Sequence, residues 1–487
     1  MLRTLTLACL GLLCAVQSAA AQTAGTWRAV ACMSIGRDGH VVVQLPDGRT
    51  LAAGGNSEPV SLATAEVFDP VTELWSPVAS MSTPRQFAAG VRLADGRVLV
   101  AGGADQSSGT VHATSEVFNP AAGTWSAVAS MNLPRAVATA TLLNDGRVLV
   151  AGGQIPADQL TASAEIYDPV SGVWSPAASM TVQRAWHQSI RLLDGRVLVI
   201  GGEPGGSAEI YAPATNGWTP AGLLPGGIWQ PSLALLPDGQ VLVSGGGAGS
   251  PGTTAFPRSD AYRYNAASNT WTRVPDMGVP RVAASALTLN DGRVLVSGGY
   301  PQNSQWGSAE IYDPATNAWS PTGPLAVPGG RYDHASVLRQ DGTALIVGGC
   351  CEGLRPFSRK SAEIFTPAPP PQCPLDITGS LNVYQSSLIP FYATPFRLQW
   401  VLVGNPTARV FAGPLSYVLS DLQNGAAVTP LSTTCVGDAP APYVRIDAGA
   451  DGVLGPGEYR LSLLLFYQTG ADAITYTPRV LGGTPSR

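Results

Sequence analysis

The sequence predicts an all-β protein: a closed ring of seven four-stranded sheets, completed by the N-terminal strand and followed by a small β-sandwich. Two observations predict it. Glycine and proline (56 and 41 of 487 residues) make up about a fifth of the chain, so the chain turns often. A motif also recurs every 44 to 53 residues. With 45% hydrophobic residues, the chain has enough apolar surface for a large core.

Residues 1–21 have the features of a secretory signal peptide. Arg3 is followed by an apolar run at 5–16, and three alanines precede Gln22. We therefore expect a secreted or periplasmic protein. Later in the sequence no run of 18 apolar residues occurs, so no membrane span is predicted. The net charge of −5 provides no general basic field, which excludes general nucleic-acid binding.

The repeat begins with a hairpin and contains four strands. An apolar run ends in Gly-Gly seven times, and an Asp-Gly pair precedes each by six residues, as in a β-hairpin. A third run such as "AEIYDP" follows, and in six repeats a tryptophan lies six residues after its Asp, Asn or Ala. The first glycines of the pairs are Gly54, Gly102, Gly152, Gly201, Gly245, Gly298 and Gly348.

This pattern resembles the Kelch repeat, whose units form the blades of a β-propeller, and it covers residues 22–371. The seventh Gly-Gly pair is not followed by a repeat tryptophan. Trp27 lies 27 residues before Gly54, and the same spacing separates five of the other six repeat tryptophans from the next Gly-Gly pair. We therefore expect the N-terminal strand to be the fourth strand of the seventh blade, which would leave no open sheet edge in the ring.

Five cysteines remain after removal of the signal peptide. In an antiparallel blade the ends of the second and fourth strands lie on one face, so we expect Cys32 to bridge to Cys350 or Cys351. A bridge between Cys350 and Cys351 is the alternative. Cys373 and Cys435 are the only cysteines of the C-terminal region, and we expect them to pair with each other.

Residues 372–487 contain alternating apolar runs such as "FRLQWVLVG", which predict a small β-sandwich. The segment resembles the immunoglobulin-like modules found at the ends of exported bacterial proteins. Trp400 lies within one of the predicted strands, where we expect it to be part of the core.

Six arginines occupy one position at the start of a blade. They could bind a carboxylate or sulfate, or they could pair within the blade with a glutamate of the third strand. Blade five has Gly-Ile-Trp instead of the arginine and Asp260 instead of the glutamate, and this joint loss favours pairing. The arginines are Arg37, Arg85, Arg135, Arg184, Arg281 and Arg331.

Three of the four histidines, His40, His187 and His334, lie three residues after the arginine position. A metal site requires three or more converging ligands, so no metal is predicted. The galactose oxidase family joins a similar propeller to a sandwich, which would imply copper chemistry. Its ligand set cannot be transferred, because residues 372–487 contain no histidine and the first six blades contain no cysteine. No cofactor is predicted.

Aromatic residues interrupt the repeat in the loops between blades, namely Trp186, Trp229, Trp306 and Tyr332. Together with neighbouring arginines they form a candidate surface for a protein or a glycan. The sequence therefore favours a binding or scaffold protein over an enzyme. The alternative is a carbohydrate-active enzyme, either oxidase-like or similar to the sugar-acid mutarotases. The candidate ligand residues are Arg184, Trp186, His187, Trp229, Arg331, Tyr332 and His334.

Overall fold

In the computed structural model the chain divides into two compact units, residues 1–368 and 369–487. The structure describes residues 24–224, 226–248, 256–300, 307–352 and 355–368, and beyond these the backbone of strands between 375 and 482. The predicted signal peptide lies outside the described residues. Within them the secondary structure is all β, with no helix and therefore no helix that could cross a membrane.

The first unit is a propeller of seven antiparallel sheets, blades 1–7, whose first strands contact one another around the axis. Blade 1 consists of Val41–Gln44, Thr50–Ala53, Ala65–Phe68 and Trp75–Val78; blade 2 of Ala89–Arg92, Val98–Ala101, Ser115–Asn119 and Thr124–Val128; blade 3 of Thr139–Leu142, Val148–Ala151, Ala164–Asp168 and Val173–Ala177. Blade 4 consists of Gln188–Arg191, Val197–Ile200, Ser207–Ala212 and Gly217–Leu223; blade 5 of Ser232–Leu235, Val241–Ser244, Ala261–Asn265 and Thr270–Val274. Blade 6 consists of Ser285–Thr288, Val294–Ser297, Ala309–Asp313 and Ala318–Pro321; blade 7 of Ala335–Leu338, Ala344–Val347, Ala362–Pro367 and the N-terminal strand Gly25–Val30.

Blade 7 joins both ends of the propeller. Gly25–Val30 pairs antiparallel with Ala362–Pro367, with Gly25 opposite Pro367 and Val30 opposite Ala362. The N-terminal strand therefore lies where the spacing of Trp27 predicts it. The first strands of blades 1 and 7 are also in contact, so the circle of inner strands is complete.

The repeat tryptophans connect neighbouring blades. Trp125 lies opposite Phe118 of its own blade, with ring centroids 5.1 Å apart. Its indole N–H donates to the carbonyl of Ala79, 2.9 Å away in the preceding blade. Tryptophan suits this position because its ring packs on the neighbouring aromatic residue while its polar N–H finds a partner. Equivalent bonds join Trp174 to Ala129, Trp218 to Ala178, Trp271 to Ala221 and Trp319 to Pro275.

The predicted hairpins are present, but their turns differ from the expected primed type. Gly48 has a φ of 87°, whereas Asp47 does not adopt a positive φ. The N–H of Gly48 donates to the carbonyl of Leu45 at 3.1 Å, and the Asp47 carboxylate accepts the N–H of Arg49. The aspartate is therefore there as an acceptor, and only the glycine supplies the left-handed conformation. We call this side of the propeller the turn face.

On the opposite side, the connecting face, the chain enters each first strand and leaves each second strand. Within the described residues, five blades carry an additional short hairpin there, directly after the paired glycines. The hairpin strands are Asn56–Ser57 and Val60–Ser61, Ala104–Asp105 and Thr110–Val111, Gln154–Ile155 and Gln159–Leu160, Gly247–Ala248 and Phe256–Pro257, and Cys350–Glu352 and Arg355–Ser358.

The second unit consists of antiparallel strands. One sheet has the order Leu375–Asp376, Thr477–Gly482, Leu415–Ser420, Ala439–Ile446 and Ser432–Val436. The other has the order Asn382–Gln385, Phe396–Gly404, Tyr459–Tyr467 and Ala427–Thr429, with Ile389–Pro390 also paired to Phe396–Gly404. Phe411–Ala412 pairs with Val453–Leu454. The side chains of Trp400, Cys373 and Cys435 lie outside the described residues, so the immunoglobulin-like packing and the bridge stay predictions.

Candidate ligand site at the channel mouth

The six arginines at the start of the blades pair with third-strand glutamates. Arg135 is fully buried; its Nη2 lies 2.9 Å from Glu165 Oε1, and its Nη1 donates to the carbonyls of Gly152 and Ser163. The ion pair and these hydrogen bonds to both terminal nitrogens make the buried charge tolerable. The other pairs are Arg37–Glu66, Arg85–Glu116, Arg184–Glu209, Arg281–Glu310 and Arg331–Glu363.

This arrangement corrects the role predicted for two ligand candidates. Arg184 and Arg331 have no exposed surface, and each guanidinium is enclosed by its glutamate and by backbone carbonyls. Neither can reach a ligand on the surface. Both stabilise their blades, which is the alternative that the sequence favoured.

Blade 5 lacks the arginine–glutamate pair and has an Arg258–Asp260 pair instead. Buried Ile228 takes the arginine's place, and Tyr262, which lies opposite Val243, takes the glutamate's place. Comparison of the repeats predicts Asp260 at the glutamate position, but Asp260 lies one residue before the third strand, Ala261–Asn265. Asp260 instead forms an ion pair with Arg258, whose Nε lies 2.8 Å from Asp260 Oδ1.

The three histidines each pack against the first glycine of a Gly-Gly pair in the preceding blade. A Cβ at Gly152 would lie 2.7 Å from His187 Cε1, so only glycine leaves room for the ring. His187 Nε2 lies 3.1 Å from Thr139 Oγ1, and His334 Nε2 lies 2.8 Å from Ser285 Oγ. The histidine therefore recurs at this position because its ring packs on the glycine of the preceding blade.

His40 differs from the other two histidines, because both of its ring nitrogens are buried without a hydrogen-bond partner. The position equivalent to Thr139 and Ser285 is Ala335, which offers no hydroxyl. Burial, together with the nearby guanidinium of Arg37, lowers the pKa of His40 to about 3. The imidazole is therefore neutral at physiological pH. Among the described residues, no three histidines, cysteines or acids converge on a metal site.

Seven equivalent residues, one from each blade, surround the channel mouth on the connecting face. Each lies two residues after the arginine position, which Ile228 occupies in blade 5. All have a left-handed backbone, with φ between 40° and 58°. In six of them the N–H donates to the carbonyl of the counterpart in the preceding blade, at 2.7 to 3.3 Å. Between these described residues one such bond is missing, from Asp333 N to Ala283 O. We call the set the mouth ring: Gly39, Phe87, Val137, Trp186, Gln230, Ala283 and Asp333.

The mouth ring opens into a cavity of about 260 Å³, which His40, His187 and His334 also line. Two contacts cross the mouth. Phe87 and Trp186 meet edge to face over blade 3, with centroids 4.8 Å apart and an interplanar angle of 70°. The Gln230 amide Nε2 donates to Asp333 Oδ1 over blade 6, at 3.1 Å. One side of the mouth is thus aromatic and the other polar.

Two carboxyl groups near the mouth have raised pKa values. Burial, with repulsion from Asp38, raises the pKa of Asp333 to about 7, although the hydrogen bond from Gln230 opposes the shift. Burial and repulsion from Glu58 raise the pKa of Asp38 to about 6, against a hydrogen bond from Ser358 Oγ at 2.6 Å. Among the described residues no cation offsets these two shifts.

The predicted aromatic residues are not equivalent in the structure. Trp186 is partly exposed in the mouth. Trp229 is buried, and its backbone bridges to Gly247. Tyr332 packs edge to face on Tyr300, 5.9 Å away. Trp306 lies outside the described residues.

Sequence reasoning missed four residues at the mouth: Phe87, Gln230, Asp333 and Asp38. The signal that could have found them is positional, because the first three lie two residues after the arginine position, in register with Trp186. Asp38 lies one residue after Arg37. Superposing the seven repeats would have grouped the first three with Trp186.

The bridge predicted from Cys32 is absent, because Cys32 is an exposed, free thiol. The reason is register: Met33 N donates to Lys360 O, and Gly349 N donates to Arg37 O. The residue beside the start of the Cys350 hairpin is therefore Arg37, five positions after Cys32. Cys350 itself is disulfide-bonded, and the side chain of Cys351 lies outside the described residues.

Comparison with known proteins finds Kelch motifs at residues 39–82, 137–181 and 233–278. Kelch-like protein 21 from Bos taurus is 37% identical over 78 residues, which are 16% of this chain and 13% of that protein. The Homo sapiens protein is 36% identical over 93 residues, 18% and 15% of the two chains. Kelch-like protein 25 from Xenopus tropicalis is 35% identical over 69 residues, 14% and 12%. The matches thus span about a seventh of these relatives' length.

Among solved structures, a fungal alcohol oxidase of the AA5 family in complex with copper is similar, with a TM-score of 0.57 and 18% identity. The match covers 95% of this chain and all of the oxidase. At this identity the likeness concerns the fold alone. The described residues do not fit copper, because no three ligating side chains converge and the three mouth histidines are held by packing.

Proposed function

We propose that this chain is an exported propeller protein that binds a protein partner on its connecting face, with the mouth ring at the centre of the contact. The observation that carries the proposal is the Phe87–Trp186 pair, two aromatic rings fixed on a hydrogen-bonded backbone ring beside a cavity. Rigid, partly exposed aromatic residues around a cavity are typical of the energetic centres of protein interfaces.

Export is proposed on the signal-like residues 1–21. The disulfide at Cys350 supports it, because disulfides persist in oxidising compartments outside the cytosol. The second unit is proposed to be an immunoglobulin-like sandwich.

A glycan is the second candidate ligand, because sugars also stack on aromatic rings such as Phe87 and Trp186. The oxidase-like enzyme is disfavoured by the lack of converging ligands among the described residues. The isomerase-like enzyme is disfavoured because Arg184 and Arg331 are enclosed.

Peptide and glycan arrays probed with the mature protein test the proposal. We expect peptide binding that Trp186→Ala abolishes; Ala283 already occupies the equivalent position with φ 55°, so the backbone tolerates alanine there. The matched control is Leu193→Ala, at an exposed leucine of the turn face. Binding of glycans without peptides, or equal peptide binding by the Trp186→Ala variant with wild-type thermal stability, would overturn the proposal.

A further inference from the structure

We propose that the channel mouth binds the cationic end of a lysine or arginine side chain, presented by a basic segment of the protein partner. The inference rests on the proposed function and specifies its ligand. It is carried by uncompensated acids, an unpartnered buried imidazole, an aromatic pair and the charge distribution of the connecting face.

The first step is the charge at the junction of blades 7 and 1. Asp333 accepts one hydrogen bond from the neutral Gln230 amide, and Asp38 accepts one from Ser358. The guanidinium groups of Arg37 and Arg331, which precede these acids by one and two residues in the chain, are already paired with glutamates. No member of the mouth ring is basic. Among the described residues neither buried Asp38 nor half-buried Asp333 has a cation of its own, and such acids favour a cationic ligand.

The second step is His40. Its side chain is nine-tenths buried, it lines the cavity, and neither ring nitrogen has a partner. A neutral imidazole has one nitrogen that accepts a hydrogen bond. Because His40 stays unprotonated near neutral pH, it can accept from an ammonium or guanidinium N–H. A ligand that donates would satisfy a buried acceptor that the protein leaves open.

The third step is the opposite wall. Phe87 and Trp186 meet across the mouth, so the cavity is bounded by π systems on one side and by Asp333 on the other. Cations are attracted to the faces of aromatic rings, most strongly to tryptophan, and the attraction grows when the cation is desolvated. The Asp333 carboxylate and the aromatic wall therefore both favour a cationic ligand.

The fourth step concerns the surrounding surface. On the turn face, aspartates pair with arginines of the same turn, as in Asp95–Arg97 at 2.7 Å and Asp145–Arg147 at 2.7 Å. The hairpins of blades 1, 2 and 3 on the connecting face carry Glu58, Asp105 and Asp158. Among the described residues these three acids form no ion pair and bond only to neutral groups. The negative charge of these three acids is complementary to a basic segment, so it favours such a segment and would guide its approach.

The test uses the mature protein with defined probes. Calorimetric titrations compare N-acetyl-arginine amide and N-acetyl-lysine amide with their neutral isosteres, the citrulline and Nε-acetyl-lysine amides. We expect saturable binding of at least one cation, at least tenfold weaker binding of its isostere, and at least a tenfold loss of affinity in Asp333→Asn. Asp95→Asn, on the turn face, is the matched control and should bind as the wild type does.

A second readout is proton release. Because a bound cation favours the ionised carboxylate, binding at pH 7 should release protons, seen as heats that depend on the buffer. Equal affinities for cation and isostere, or no effect of Asp333→Asn, would overturn the inference. Tighter binding of putrescine than of a basic pentapeptide would overturn the assignment to a protein side chain. If peptides bind through Trp186 regardless of their charge, the proposed function stands and this inference alone fails.

Discussion

Gln230 of blade 5 and Asp333 of blade 7 are hydrogen-bonded across the channel mouth, over Ala283 of blade 6. The bond spans the one interval at which the mouth ring lacks its backbone hydrogen bond, between Ala283 and Asp333. A side-chain bond thus bridges the opening in the backbone ring. It depends on a carboxyl group whose pKa lies near neutrality.

Asp333→Asn should make stability less dependent on pH. The folded-state pKa of Asp333, about 7, lies above the usual unfolded value of about 3.9, so the folded protein binds the proton more tightly. The wild type therefore loses stability as the pH rises from 4 to 7, while the neutral amide does not. Because about three pKa units separate the two states, we expect Asp333→Asn to be more stable than the wild type by up to about 4 kcal/mol at pH 8 and nearly equally stable at pH 4, as measured by urea unfolding.

Asp95→Asn is the control with the opposite sign. The hydrogen bonds and charge of Arg97 outweigh desolvation and lower the pKa of Asp95, so its charge stabilises the folded state above the unfolded pKa. This variant should be slightly less stable than the wild type at pH 8. A loss of stability in both variants at pH 8 would contradict the burial argument for Asp333.

Ala335→Ser should supply the hydroxyl that His40 lacks. Ser285 Oγ lies 2.8 Å from His334 Nε2, whereas both nitrogens of His40 lack a partner among the described residues and the position equivalent to Ser285 is Ala335. A new hydrogen bond to a buried acceptor should raise the free energy of unfolding by about 1 kcal/mol. Ser285→Ala should lower it by a similar amount. If both substitutions destabilise the protein in urea titrations, His40 does not face residue 335.

Arg135→Met should destabilise blade 3 strongly, because it leaves Glu165 as a buried charge without its cation. Removing one partner of a buried ion pair costs about 3–5 kcal/mol. The control is Arg147→Met, which breaks the exposed pair with Asp145 and should cost less than about 1 kcal/mol. Chemical denaturation of both variants measures the difference; equal costs would mean that burial does not set the strength of the pair.

The framework could be predicted because its residues recur. Trp27 could be placed by one spacing that five other repeats share, and the joint loss at blade 5 indicated the arginine–glutamate pairs. The assignment of Asp260 was wrong because a strand position is fixed by the partner strand, which places Tyr262 opposite Val243. Register also explains why the predicted bridge from Cys32 was wrong. The topology places Cys32 and Cys350 on the same face, but the residue beside the start of the Cys350 hairpin is Arg37.

The mouth could not be predicted in the same way. Its side chains differ from blade to blade, so the repeat gives their position without their chemistry. Their contacts arise only when the ring closes: Gly39 N meets Asp333 O, although nearly the whole propeller lies between them in sequence. The pairing of Phe87 with Trp186 crosses a blade, and no spacing along the chain indicates it.

Gly152→Ala and Gly123→Ala should separate backbone strain from close packing. Both glycines have left-handed φ values, 64° and 66°. A Cβ at Gly123 would meet nothing within 4 Å, so this variant should lose only the conformational cost of about 1–2 kcal/mol. A Cβ at Gly152 would lie 2.6 Å from Arg184 O and 2.7 Å from His187 Cε1, which forces the next blade to move. We therefore expect Gly152→Ala to lose cooperative unfolding in thermal melts, whereas Gly123→Ala keeps it. Similar melts for both would show that the histidine does not require the glycine.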